Sequence, residues 1–279
     1  AAALRFLDKT SAKPFFLYYA SPLPHVSLQA PQRWIDHYHE KFGDEKPFLG
    51  GSYFPCRYPR ATYAAMISTL DEEVGRIVKK LRELNVYDNT IIIFTSDNGT
   101  AANAGVDGPW FNSGGPFKSQ PGWGKGFVYE GGIRMPFLIQ WPGKIKSGSV
   151  TTHIAATWDF MPTLSQIIGI PSPKNIDGIS YLPTVLQNNT QQKDHPYLYW
   201  EFPESGGQQA VRIGQWKGIR QNIKKGNLKI QLFDLATDIQ ETHDIADSHP
   251  DIVKQMEEIM KKEHERPVVS TFLMPALDN

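Results

Sequence analysis

Apolar side chains recur at intervals of three and four residues over residues 61–84, as they do on one face of an amphipathic helix. Continuous apolar runs, typical of strands covered on both faces, occupy residues 13–20, 90–94 and 135–141. A second helix is predicted over residues 157–168, with Pro162 in its first turns, where the missing N–H is tolerated. Strands that alternate with helices predict a layered α/β domain.

Beyond residue 186 the pattern changes to short apolar runs separated by turn residues such as Gly206 and Gly207. The runs occupy residues 197–202, 209–213, 216–220 and 229–233. This spacing predicts a small antiparallel sheet. A final helix is predicted from Pro250 to about Glu265, and its apolar face should pack on that sheet. We therefore predict two domains, residues 1–186 and residues 187–279.

The charge and the cysteine content exclude several classes of protein. Twenty-nine basic residues balance 29 acidic ones, so no long-range field favours nucleic acid as a partner. No segment approaches the roughly 20 apolar residues that a membrane span requires, and one cysteine cannot form an internal disulfide. The first seven residues resemble the end of a helix rather than a signal peptide. The chain is therefore expected to begin partway through a domain.

Candidate metal ligands follow the predicted strand at residues 90–94. The segment Thr95–Gly99 contains Asp97 and Asn98, which offer a carboxylate and an amide oxygen. Hard cations bind such oxygens, and α/β sheets bind ligands beyond the carboxyl ends of their strands. The alternative is a polar turn, because Asp-Asn-Gly is also a common way to end a strand.

Four segments, in this order, resemble one protein family. They are Ser21–His25, Thr95–Gly99, Gly124–Pro136 and Leu232–Asp238. The chain resembles the C-terminal part of a type I, formylglycine-dependent sulfatase of the alkaline phosphatase superfamily. This resemblance implies an α/β fold with part of an alkaline-phosphatase-like mixed sheet flanked by helices. It also implies that residues 1–186 belong to the catalytic core and residues 187–279 form a C-terminal antiparallel subdomain with a packed helix.

The resemblance also implies roles for individual residues. Asp97 and Asn98 are expected to bind a divalent metal, usually calcium. Lys125, between two glycines, is expected to stabilise the sulfate, and His25 to donate to the sulfate or to handle a proton. The alternative for both of the last two is an ordinary surface residue.

The nucleophile of the family is a formylglycine made from the cysteine of a Cys-X-Pro-X-Arg motif. Cys56 is followed by Arg57, Tyr58, Pro59 and Arg60, so the proline is displaced by one position. Cys56 also lies between the matched histidine and the Asp-Asn pair, whereas the nucleophile of the family precedes both. We therefore expect formylglycine upstream of this chain and not at Cys56, and we expect the chain alone to be inactive.

Weaker candidates for substrate binding lie in the long loops expected to rim the cleft. They are Lys118, Trp110, Trp123 and His37. Aromatic rings stack on sugars and cations bind further sulfate groups, although a tryptophan in a loop is also a common packing anchor. Glu130, Arg134 and Asp159 are interpreted as scaffold, because ion pairs or helix caps explain them equally well.

The expected function of the complete protein is hydrolysis of sulfate esters, on a sulfated carbohydrate or an aryl sulfate, in the periplasm or outside the cell. One alternative is a phosphodiesterase or phosphonate monoester hydrolase of the same superfamily, because sulfate and phosphate make similar demands on a site. Another is a non-catalytic carbohydrate-binding module. Expected protein partners are the missing N-terminal part or a second copy of the chain.

Overall fold

The computed structural model describes residues 2–278. The helices are α1 (Ala2–Thr10), α2 (Gln32–Phe42), α3 (Pro59–Glu83), α4 (Gly108–Phe111), α5 (Glu130–Ile133), α6 (Phe160–Ile168), α7 (Leu182–Val185), α8 (Pro250–Glu263) and α9 (Pro275–Asp278). The strands are β1 (Ile92–Thr95), β2 (Phe137–Gln140), β3 (Leu198–Phe202), β4 (Gln208–Ile213), β5 (Trp216–Gln221) and β6 (Gln231–Asp234). Within this part of the chain, no helix combines the length and the apolarity that crossing a membrane requires.

The long helix α3 confirms the prediction from the apolar spacing. It begins with Pro59 at its first position, where proline costs no hydrogen bond. Its first two turns are the best buried part, and Met66 packs with Leu28 and Val106 in a small core that includes the loop after β1. The helix predicted over residues 157–168 is also confirmed, as a 3₁₀ turn followed by α6.

Strands β1 and β2 confirm the runs at residues 90–94 and 135–141 and pair antiparallel. They are less buried than predicted, since Leu138 is 60% exposed. The strand predicted over residues 13–20 is wrong, because this segment pairs with no strand among residues 2–278, and Tyr18 is 80% exposed. A strand needs a hydrogen-bonding neighbour as well as apolar side chains, and residues 2–278 place none beside this segment.

The predicted C-terminal sheet is confirmed as four antiparallel strands in the order β3-β4-β5-β6. Helix α8 packs on one face through Met256, Ile259 and Met260, as the sequence predicted. Successive residues of a strand point to opposite faces. On β5, Ile219 therefore faces a second apolar cluster, which contains Val128 and Tyr129 from the segment before α5. The sheet is held between α8 and the polypeptide that leads into α5.

Candidate active site

The two candidate metal ligands lie just beyond the end of β1. The Asp97 carboxylate is exposed, and its nearest hydrogen-bond donor, Ser96 Oγ, lies 3.5 Å away. The amide nitrogen of Asn98 donates to the carbonyl of Gly99 at 2.8 Å. Within residues 2–278, the Asn98 Oδ1 atom accepts no hydrogen bond. Both side chains therefore have an oxygen available for a cation.

Backbone contacts between glycines bring this strand end against the segment that carries Lys125. The Gly99 N–H donates to Gly132 O at 2.8 Å, and the Lys125 N–H donates to Thr100 O at 2.7 Å. A Cβ atom on Gly99 would lie 2.0 Å from Gly131 O, so no larger residue fits there. Asp97, Asn98 and Lys125 thus lie on two segments joined by main-chain hydrogen bonds, and the Lys125 side chain is exposed.

The predicted His25 is not joined to that group by any contact among the described residues. Its side chain is exposed, and its Nδ1 atom lies 2.5 Å from Val26 O. Its ring makes an edge contact with Tyr53 at a centroid distance of 6.2 Å. The role of His25 therefore stays a prediction.

Two of the four weaker candidates lie together. The Lys118 ammonium lies 3.6 Å from the centroid of Trp123, and Trp123 stacks on Tyr129 at 3.9 Å. Burial, with the nearby carboxylates of Glu241 and Asp244, raises the pKa of Tyr129 to about 12. Trp123 is thus packed against the second apolar cluster through Tyr129.

The other two weaker candidates lie elsewhere. Trp110 is 45% exposed and lies under the guanidinium of Arg60, which in turn pairs with Asp107 at 2.7 Å. His37 is exposed on α2, where its ring packs edge-on against Trp34 and Tyr38. Contact with a substrate remains a prediction for all four residues.

The donor chemistry at the end of β1 fits calcium, with one charged and one neutral oxygen ligand. Calcium takes about six to eight oxygen ligands in proteins. Across residues 2–278, no group of three or more His, Cys, Asp or Glu side chains comes together in a way that could hold a metal. Asp97 and Asn98 would therefore hold the ion together with ligands from elsewhere.

A buried charged cluster was missed by the sequence reasoning. We call Glu130, Lys217 and Glu241 the buried triad, and each of these side chains is at most 2% exposed. The Lys217 ammonium lies 2.8 Å from Glu130 Oε1 and 2.9 Å from Glu241 Oε1. The sequence contained one indication of this cluster, because Lys217 shares a face of β5 with the apolar Ile219. Glu130 is thereby confirmed as a scaffold residue.

The triad carboxylates differ in their pKa values. Burial raises the pKa of Glu130, but Lys217, Arg212 and Arg134 outweigh it and hold that pKa below its ordinary value. For Glu241, burial outweighs Lys217 and raises the pKa. Within the triad, the charged form is therefore favoured at Glu130 and disfavoured at Glu241.

Asp159 is also confirmed as scaffold. Its carboxylate accepts the N–H of Ala156 at 2.7 Å and that of Ile179 at 2.8 Å. The same carboxylate lies 2.8 Å from the ring of His195, which the sequence reasoning had not singled out. Asp159 therefore fixes the start of the turn that leads into α6 and ties it to two later segments.

Cys56 is part of the packing between α3 and the preceding loop. Its thiol donates to Thr62 Oγ1 at 3.3 Å, and its backbone pairs with that of Phe48. The side chain is half-buried beside the core that contains Met66. Cys56 is held as a packing residue, and the location of formylglycine outside this chain stays a prediction.

We expect the 279-residue chain alone to show no turnover of 4-nitrophenyl sulfate, even with excess calcium. The reason is that Lys125 and the Asp97–Asn98 pair would act without a nucleophile. Peptide mass spectrometry should find unmodified cysteine at Cys56. Turnover together with formylglycine at Cys56 would contradict this expectation.

Comparison with known proteins agrees with this picture. The family model described as Sulfatase matches residues 1–170, and the model described as N-sulphoglucosamine sulphohydrolase, C-terminal, matches residues 121–266. Human N-acetylgalactosamine-6-sulfatase is 32% identical over 231 residues, which are 80% of this chain and 39% of that protein. Human arylsulfatase A is 32% identical over 207 residues, which are 74% of this chain and 35% of that protein.

Among solved structures, that of Ps i-CgsB superposes with a TM-score of 0.74 at 30% identity. The superposition covers 94% of this chain and 52% of that one. The α/β core is that of an alkaline-phosphatase-like protein. The chain belongs to the sulfatase family. It spans 39% of the length of the human N-acetylgalactosamine-6-sulfatase that it matches.

Proposed function

We propose that the full-length protein is a sulfuric ester hydrolase that acts on a sulfated glycan, and that this chain supplies part of its active site. One observation carries the proposal. The oxygen ligands Asp97 and Asn98 are joined to the segment of Lys125 by the main-chain hydrogen bonds of 2.7 and 2.8 Å. Metal ligands and a fixed cation on neighbouring segments are what a sulfate group needs to bind in a defined orientation.

The candidate residues of this chain would have different roles in ester hydrolysis. Asp97 and Asn98 hold a calcium ion, which when bound polarises an oxygen of the ester. Lys125 donates to a sulfuryl oxygen and stabilises the negative charge that grows there in the transition state. His25, whose side chain is exposed, donates to the sulfate or accepts a proton. The formylglycine nucleophile comes from a cysteine outside this chain.

A sulfated glycan is the proposed substrate class. Two observations support it. The structure of Ps i-CgsB has also been solved in complex with k-i-k-neocarrahexaose, and it is 30% identical to this chain. In addition, Trp110 leaves 45% of its side chain exposed in the long loop between Thr100 and Lys125, where a sugar ring could stack on it. Action on such a substrate suits a periplasmic or secreted protein, and we propose that location.

Replacement of Asp97 by asparagine tests the metal role. Asp97→Asn keeps an oxygen ligand but removes a charge, so we expect calcium to bind more weakly by about tenfold or more. Excess calcium should recover part of the activity on a sulfate ester. The measurements are calcium binding by titration calorimetry on the metal-free full-length protein, and kcat/KM as a function of calcium.

The matched control is Asp88→Asn, which removes the same charge from an exposed residue near the opposite end of β1. Calcium affinity should be unchanged in this variant. Wild-type calcium affinity in Asp97→Asn would mean that Asp97 is an ordinary turn residue, and the proposed metal site would be wrong.

A further inference from the structure

The buried triad connects the C-terminal sheet to the start of α5. Glu130 is the first residue of that helix, and its N–H donates to Glu241 Oε2 at 2.7 Å. The first N–H groups of a helix have no partner within the helix, so this acceptor fixes where the helix begins. The second Glu241 oxygen lies 2.9 Å from Lys217, as an ion pair that lacks hydrogen-bond alignment.

Helix α5 in turn fixes the strand end that carries the proposed metal ligands. The carbonyl of Gly132 accepts the N–H of Gly99, which directly follows Asn98. The Gly131 carbonyl is so close that a Cβ atom on Gly99 would lie 2.0 Å from it. A shift of α5 would therefore move the Gly99 backbone, because main-chain atoms in contact leave no space to absorb it.

The opposite side of α5 is equally confined. A Cβ atom on Gly131 would lie 1.9 Å from Lys118 O, and one on Gly132 would lie 2.1 Å from Phe127 O. The helix thus sits between the strand end and the loop segments at Lys118 and Phe127. The Glu241 carboxylate accepts the first N–H of the helix, so the helix is also held at its start.

We infer that Glu241 is a positioning residue for the Asp97–Asn98 pair, acting through α5 and Gly99, with Lys217 holding the Glu241 carboxylate in place. This inference rests on the proposed function, since it takes Asp97 and Asn98 as metal ligands. It assigns a part in setting calcium affinity to Lys217 of the C-terminal sheet and to the loop after β6, both of which lie outside the metal-ligand segments. Outer partners that orient metal ligands typically contribute about 10- to 100-fold in metal affinity.

The experiment compares three variants of the full-length protein. Glu241→Ala removes the acceptor for the Glu130 N–H, so we expect the calcium dissociation constant to rise about tenfold. Glu241→Gln keeps an oxygen at the same reach and should stay within about threefold of the wild type, a smaller loss than for the removal of an outer partner. Calcium binding is measured by titration calorimetry on metal-free protein, and kcat/KM for 4-nitrophenyl sulfate is measured in parallel.

Arg220→Met is the matched control. Arg220 lies on the same strand β5, is also buried, and pairs with Glu257 of α8 at 3.2 Å, on the face turned away from α5. The Arg220→Met substitution removes a buried charge from the sheet but leaves intact the contacts that run from Glu241 through α5 to Gly99. Its calcium affinity should equal that of the wild type even if its thermal unfolding temperature falls.

The outcomes separate this inference from the proposed function. Wild-type calcium affinity in a folded Glu241→Ala protein, or an equal loss in Arg220→Met, overturns the inference. If Glu241→Ala does not fold by circular dichroism, Glu241→Asp takes its place, because it keeps the charge but withdraws the acceptor by one methylene. If Asp97→Asn alters calcium binding and the Glu241 variants do not, only this inference fails. If Asp97→Asn also binds calcium normally, the metal site itself is wrong and both fail.

Discussion

Replacement of Lys125 by alanine in the full-length protein is expected to lower kcat by about 10²-fold or more. The loss of a fixed donor to a developing negative charge typically has an effect of this size. Because the ammonium would act on the sulfuryl group and not on the metal, added calcium should not restore turnover. Steady-state kinetics on 4-nitrophenyl sulfate across a calcium titration measure both effects.

Lys144→Ala is the control for this experiment. Lys144 is an exposed lysine in the turn that follows β2, so its loss removes the same charge outside the proposed site. The control should retain wild-type kcat. A Lys125→Ala protein with wild-type turnover would show that Lys125 is a solvated surface lysine, whereas recovery by calcium would show that it acts on metal binding instead.

Replacement of Lys217 by methionine should be the most destabilising single change considered for this chain. It would leave Glu130 and Glu241 buried without the ammonium that lies within 2.9 Å of both. Removing one partner of a buried ion pair typically costs about 3–5 kcal/mol of unfolding free energy. The expected result is a loss of this size, measured by urea unfolding of the full-length protein followed by circular dichroism.

Arg220→Met serves again as the control, because its partner Glu257 is 42% exposed and can be rehydrated when the arginine is lost. Loss of Arg220 leaves one partly exposed carboxylate without its partner, whereas loss of Lys217 affects two buried ones. The Lys217 variant should therefore lose clearly more stability than the Arg220 variant. Equal losses would mean that the buried triad contributes no more than the Arg220–Glu257 ion pair.

The sequence predicted the elements that depend on local periodicity. The apolar spacing between residues 61 and 84 specified α3 to within two residues at each end, because helical packing repeats every three to four residues. The C-terminal sheet was equally accessible, since each of its strands is separated from the next by turn residues. Local signals of this kind need no knowledge of the partner segment.

The failure at residues 13–20 has the opposite cause. An apolar run shows that side chains favour burial. Strand formation depends also on which segment lies alongside, and the run itself does not specify that segment. The burial of β2 was overestimated for the same reason, as the 60% exposure of Leu138 shows. Pairing between distant segments is the part of the fold that a local pattern does not encode.

The candidate site and its surroundings likewise include residues placed by local sequence and residues brought together by distant segments. The placement of Asp97 and Asn98 just beyond β1 was predictable because the strand and the following turn are contiguous in the sequence. The buried triad was not predicted, because Lys217 lies 87 positions from Glu130, and Glu241 lies 111 positions from it. A lysine in a short alternating segment also indicates a solvent-facing position before its partners are known.

The hydrogen bond between Lys125 N and Thr100 O also has a consequence for how this protein can diversify. It brings the two ends of the loop between Thr100 and Lys125 together. The residues between them therefore leave and re-enter the core at the same point. The entropy of closing such a loop grows slowly, by about 0.6 kcal/mol for each doubling in length. Insertions or deletions at exposed positions such as Gly115–Pro116 can therefore reshape the rim while the base stays unchanged. The loop can therefore change in length while the main-chain hydrogen bond at its base keeps Thr100 and Lys125 together.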